Sequence, residues 1–78
     1  MTIKDCIMNI PVKPETRISI FGNNFYFYFK IPDNVVTNEE KETLLENVLN
    51  NNQYKEISNY NYQVVKNINE SYLGIYLK

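Results

Sequence analysis

The chain contains no histidine and no tryptophan, and Cys6 is the single cysteine among its 78 residues. Without histidine, the commonest general base and the commonest transition-metal ligand are both absent. With only one cysteine as well, none of the usual Cys/His zinc sites can be assembled. Cys6 cannot form an internal disulfide. Its place among Ile3, Ile7 and Ile10 is that of a small hydrophobe in a reduced, intracellular protein. Glycine is almost as scarce, and Gly22 and Gly74 do not make a glycine-rich phosphate loop. No apolar run approaches the roughly 18 residues of a membrane span. The opening Met1-Thr2-Ile3-Lys4-Asp5 lacks the basic region and apolar stretch of a signal peptide. Charge of neither sign dominates. The net charge of −1 supplies no bulk attraction for nucleic acid, and it is too small to imitate a nucleic-acid backbone. The expectation is a soluble cytoplasmic protein with no cofactor, no metal and no membrane association. A chain this short is one domain, residues 1–78. Its core stabilises only modestly, which oligomerisation would help.

What the chain has instead is aromatic and amide side chains. There are seven Tyr and four Phe, and about one residue in six is Asn, well above ordinary usage; this resembles the coding bias of AT-rich genomes. The strongest pattern is Phe25-Tyr26-Phe27-Tyr28-Phe29-Lys30-Ile31. Phe25, Phe27, Phe29 and Ile31 point one way, and Tyr26, Tyr28 and Lys30 the other. Period two over seven residues predicts a β-strand with one dry face, and this strand is expected to be the centre of the core.

The remaining elements follow in order. Ile3, Cys6, Ile7 and Ile10 share a helical face, with Thr2 as N-cap, Asp5 three residues on and Pro11 as the stop; an edge strand is the alternative. Val12 to Glu15 read as an extended connector. Ile18 and Ile20 alternate with Arg17 and Ser19 in a strand, and Gly22-Asn23-Asn24 joins it to the aromatic strand as a hairpin. An unbulged three-residue loop would oppose Ile18 and Ile20 to tyrosines, so a two-residue loop is expected. Asn23-Asn24 in the turn sets Ile20 against Phe27; Gly22-Asn23 sets it against Phe25. Thr37 and Glu40 form a capping box for a helix over residues 38–50, with Leu44, Leu45, Val48 and Leu49 as its apolar stripe and Asn50 to Asn52 as its end. Tyr60, Tyr62 and Val64, and then Leu73, Ile75 and Leu77, alternate in a second hairpin turned at Asn69-Glu70-Ser71. The order α-β-β-α-β-β predicts an α+β fold, an antiparallel four-stranded sheet with helices packed on one face and the other face wet.

Three kinds of chemistry can be weighed on this frame. Glu42 and Glu46, four apart on one helical face, are spaced to pair as acid and base or to hold a hard cation, but such a run is ordinarily a solvated helix face. Cys6 has no histidine to activate it, so no enzyme is expected. Tyr26, Tyr28 and Lys30 share a strand face to which Tyr60, Tyr62, Tyr72 and Tyr76 are possible additions; aromatics on a sheet stack single-stranded bases in some proteins, although the basic residues here are scattered. The same Tyr- and Asn-rich face suits protein recognition or a homodimer. The terminal strand is a further candidate for edge-to-edge pairing.

Thr2-Ile3-Lys4-Asp5, then Arg17-Ile18-Ser19-Ile20 entering a hairpin, then Leu73-Gly74-Ile75-Tyr76-Leu77, resemble in outline many small proteins encoded by phages and mobile elements of AT-rich Gram-positive bacteria. The helix from Glu39 to Leu49 is longer than in that group. The resemblance implies a non-catalytic inhibitor that binds a host defence protein, in the manner of anti-CRISPR factors, in the host cytoplasm. The residues expected to make contact are Tyr26, Tyr28 and Lys30 on the sheet, with Glu39, Glu42 and Glu46 as an acidic edge able to meet a basic nucleic-acid-binding groove. The alternatives are a small single-stranded nucleic-acid or nucleotide binder using the Tyr face, and a structural homo-oligomer.

Overall fold

The structure, a computed structural model, describes residues 1–10 and 13–78; the helix stop assigned to Pro11 and the start of the connector at Val12 lie outside them. The elements are helix α1 (Ile3–Asn9), strands β1 (Arg17–Gly22) and β2 (Phe25–Lys30), helix α2 (Asn38–Val48), a 3₁₀ turn (Asn50–Tyr54), and strands β3 (Ile57–Val65) and β4 (Glu70–Leu77). Both helices begin as their sequences dictate. The Thr2 hydroxyl accepts from the Asp5 amide at 3.1 Å while the Asp5 carboxylate accepts from the Thr2 amide at 3.0 Å. Thr37 and Glu40 repeat the arrangement at 3.1 and 3.0 Å. Each box satisfies two backbone donors that the helix start leaves free. Asn50, with φ of 53°, takes the left-handed conformation expected of a helix-ending Asn, and the chain then tightens into the 3₁₀ turn.

The capping hydrogen bonds hold both carboxyls below the usual carboxylate range, chiefly through the backbone amide of Thr2 for Asp5 and that of Thr37 for Glu40. A carboxyl whose pKa is depressed by folding adds stability that is complete above its unfolded pKa and disappears as pH falls through the folded value. Stability measured by urea unfolding should therefore decline as pH falls below about 4. The Asp5→Asn/Glu40→Gln double variant should show a flatter decline over the same interval.

The four strands form one sheet in the order β2-β1-β4-β3. Both hairpins are antiparallel, but β1 and β4 run parallel, with Ile18 beside Leu73 and Ile20 beside Ile75. The sheet is therefore mixed, not antiparallel as its hairpins suggest. The reason lies in residues 31–56. They leave the sheet at one edge, cross it through α2 and the 3₁₀ turn, and re-enter at the far edge as β3, so β4 comes back beside β1. Parallel neighbours need a long crossover of this kind. β4 consequently has a strand on each side and no free edge, against the expectation that it pairs with a partner's strand.

The first hairpin turns at Asn23-Asn24. Its register sets Ile18 against Phe29, Ile20 against Phe27 and Gly22 against Phe25, and Asn24 has φ of 57°. Gly22 also lets β4 approach, since a Cβ there would meet the Leu77 Cδ1 atom at 2.9 Å. The connector before β1 is not simply extended: it turns at Pro14 and Glu15, with Glu15 at φ of 68°.

Ile18 and Ile20 of β1, Leu73 and Ile75 of β4, Ile3, Cys6 and Ile7 of α1, and Leu45 of α2 are buried together on one side of the sheet. The centre of the core is thus the β1–β4 seam. The aromatic strand is an edge, and Phe25, Phe27 and Phe29 are only partly buried against the core. Cys6 is fully enclosed, and burial pushes its thiol up to about 11. It should resist a thiol reagent at neutral pH in the folded protein and react at the rate of a free thiol once urea unfolds the chain.

Candidate functional site

Buried residues of both helices cluster with Ile18, Ile20, Leu73 and Ile75, and the opposite side of the sheet is open. On the open face β1 displays Arg17, Ser19 and Phe21, in antiphase to its buried isoleucines. The cross-strand register assembles these with their neighbours into rows. Phe21 lies between Tyr26 and Tyr76, with ring centroids 5.3 Å from each and only 17° between the planes of Phe21 and Tyr76. The next row is Tyr28, Ser19, Gly74 and Asn61. The third is Lys30, Arg17, Tyr72 and Gln63. Small residues in the middle row leave a shallow trough of about 180 Å³, bounded by Phe21 and Tyr76 on one side and by Arg17 and Tyr72 on the other.

The rings are accessible. Tyr26 is 62% exposed, Tyr28 48%, Tyr76 44% and Phe21 39%. Adjacent aromatic pairs of this geometry add about 0.5–1.5 kcal/mol beyond their buried area, so the row is held in shape before any partner arrives.

At the end of the sheet a cleft of about 450 Å³ is lined by Lys13, Glu15, Arg17, Lys30 and Glu70 among others. Arg17 donates to Glu70 at 3.2 Å and to the Tyr72 hydroxyl at 3.4 Å, and its guanidinium stands 5.8 Å from the Tyr72 ring centre. Tyr72 also donates to Glu70, and that hydrogen bond raises the pKa of its phenol. Lys30 stands 3.9 Å from Glu15, an exposed pair of little energetic weight. The cleft therefore sets Lys13, Arg17 and Lys30 beside Glu15 and Glu70, a mixture of charges rather than a concentration of one sign.

Tyr26, Tyr28 and Lys30 lie together on the open face as their alternation requires. Tyr72 and Tyr76 join them. Tyr60 and Tyr62 do not: they pair with Ile75 and Leu73 and so face the helix side, where the Tyr62 ring packs on the core and its hydroxyl is the one buried side-chain polar atom without a partner among the described residues. Glu39, Glu42 and Glu46 are exposed on α2, across the sheet from the tyrosines, so the six expected contact residues form two separate surfaces. Glu46 has an internal role as well, accepting from the buried Gln53 amide at 2.8 Å. Among the described residues no group of three or more acidic or cysteine side chains could hold a metal ion, and no helix is long and apolar enough to cross a membrane.

Phe21 and Arg17 complete the open face and were not among the expected contacts, while Tyr72 and Tyr76 were expected as additions to it. Their phase was visible, since each stands opposite in alternation to a buried isoleucine or leucine. Their proximity was not, because it depends on β1 lying beside β4. No family model matches the chain, and neither a curated protein nor a solved structure matches it.

Proposed function

We propose that the protein is a non-catalytic binding module that engages a host protein through the open aromatic face of its sheet, in the manner of the small phage-type inhibitors that its sequence resembles. The observation that supports this reading is the continuous exposed row of Tyr26, Phe21 and Tyr76, with Tyr28 beside it. Contiguous exposed apolar surface on a small protein marks an interaction site. Tyrosine supplies large contact area at low entropic loss, and a row already fixed by sheet register loses little freedom on docking. The resemblance points to a host defence protein as the partner, CRISPR effectors among them, met in the host cytoplasm. The acidic side chains of α2 are a second surface, outside this contact.

The test is capture of the partner from a bacterial host lysate, its identification, and titration with variants. Phe21→Ser and Tyr76→Ser should each weaken binding by roughly 2 kcal/mol, about 30-fold, as central aromatic contacts do. Glu39→Gln and Glu42→Gln should leave it unchanged. Undiminished binding by a folded Phe21→Ser/Tyr76→Ser double variant would falsify the reading.

One arrangement favours a second reading. Arg17 and Lys30 stand beside Tyr72 and Tyr28 on the same face, the combination of cations and rings that holds single-stranded nucleic acid. Oligonucleotide binding that weakens steeply with added salt, and that Arg17→Gln/Lys30→Gln abolishes, would replace the protein-binding reading with this one.

A further inference from the structure

We infer that two copies of this chain pair through the outer edge of β3, antiparallel about Tyr62, joining their sheets into one. The edge itself carries the argument. Its beginning is occupied within the chain: the Ile57 amide donates to the Met1 carbonyl at 2.9 Å and the Ile3 amide to the Lys55 carbonyl at 3.0 Å, with Thr2 and Glu56 bridged. A register shift then falls between Ile57 and Asn59. From residue 58 to residue 65 no described residue pairs with the outer side, and the sequence there, Ser-Asn-Tyr-Asn-Tyr-Gln-Val-Val, holds no charge, no proline and no glycine. Charge and proline are among the devices by which sheets keep their edges from pairing; this segment has neither, and the register shift lies before it.

The direction of the free groups is known. The Ile57 amide turns outward to Met1 while the Glu56 carbonyl turns inward to Lys78, and the Tyr60 amide, donating to the Asn59 side chain at 2.8 Å, is assigned to the outer side. By the alternation of an antiparallel pair, the backbone groups of Tyr62 and Val64 point outward with it. Three outward residues spaced symmetrically about Tyr62 define a self-complementary register. Tyr62 faces Tyr62 of the second copy, and Tyr60 faces its Val64 twice over, giving roughly six backbone hydrogen bonds between the copies, two of which replace the bonds of the Tyr60 amides to Asn59. The side chains match in the same register. Tyr60 and Val64, exposed on the helix side at 43% and 38%, cover one another. On the open face Asn61 meets Gln63, amide against amide. No like charges are opposed, because the segment has none, and this is what favours a second copy over a partner chain of other composition. The two open aromatic faces become one continuous surface, but the pairing stands independently of what that surface binds.

The experiment is light scattering on eluting protein over a wide concentration range, with two kinds of variant. Val64→Pro removes an outward amide that the single chain does not use and is tolerated on an edge; Tyr60→Lys/Val64→Lys opposes like charges. Each should elute as a monomer with an unchanged circular dichroism spectrum, where the parent shows a concentration-dependent dimer. Register is read by disulfide formation under mild oxidation. An equimolar mixture of Asn61→Cys and Gln63→Cys chains should yield a covalent dimer, since directly opposed residues lie within disulfide reach, and neither variant alone should do so. Cys6 is enclosed and contributes no background. A parent that stays monomeric at every concentration overturns the proposal. So does a dimer that survives both edge variants, or a mixture that fails to cross-link while the parent dimerises. Capture of a different chain through the same edge, with no self-association, overturns it as well.

Discussion

Ile75→Ala should lower the unfolding free energy by about 2–5 kcal/mol. A domain of this size has only about 3–5 kcal/mol to lose, so much of the variant should be unfolded in water at 25 °C. Ile75 is fully buried on β4, beside Ile20 on β1 and opposite Tyr60 on β3. Removing its side chain from the middle of three strands leaves a space that neither helix can close without losing its own contacts. Urea unfolding followed by circular dichroism measures the loss. Phe27→Ala is the control: the side chain is larger but only half-buried on an edge strand, and the variant should lose less than Ile75→Ala. The reverse order would return the centre of the core to the aromatic strand. Ile20→Ala together with Ile75→Ala should depart from additivity by about 0.5–3 kcal/mol, as residues in contact do.

Leu45→Ala should produce a loss of similar size, about 2–5 kcal/mol, with a different signature. Leu45 is the apolar side chain of α2 that is wholly buried. The helix has 11 residues, below the roughly 12–15 at which isolated helices become even marginal. Its capping box orders the first turn but does not attach it to anything. Loss of the Leu45 contact should therefore free α2 before the sheet melts. Amide exchange is the measurement: protection across α2 should fall well below that of β1 and β4, whereas in the parent the buried part of α2 exchanges with the core. Protection that remains equal in the two regions would mean that Leu49 and the 3₁₀ turn anchor the helix instead.

Much of this architecture is legible in short-range pattern. The Thr2/Asp5 and Thr37/Glu40 boxes mark both helix starts because a cap is a contact between residues three apart. The Phe25 to Lys30 alternation marks a strand and its two faces because strand geometry repeats every two residues. Matching those faces across the first hairpin narrows its register to two, of which the structure adopts the Asn23-Asn24 turn. The phase of Tyr26, Tyr28 and Lys30 follows from the same rule, which is why they share the open face. Tyr60 and Tyr62 went to the other side because the first strand of the second hairpin fixes its facing only by its pairing with Leu73 and Ile75.

Local pattern determined the element types, the caps, the turn residues and the two faces of each strand. The order of strands, the parallel seam and the makeup of the aromatic row were decided by packing alone. Either hairpin could present either of its strands to the other without disturbing a single local contact. In the adopted order β1 and β4 are central and bury Ile18, Ile20, Leu73 and Ile75, since a central strand loses the most apolar surface to what packs on it. That placement makes the Phe-rich strand an edge, sets Phe21 between Tyr26 and Tyr76, puts α2 and its glutamates on the opposite side, and leaves β3 with its uncharged edge open.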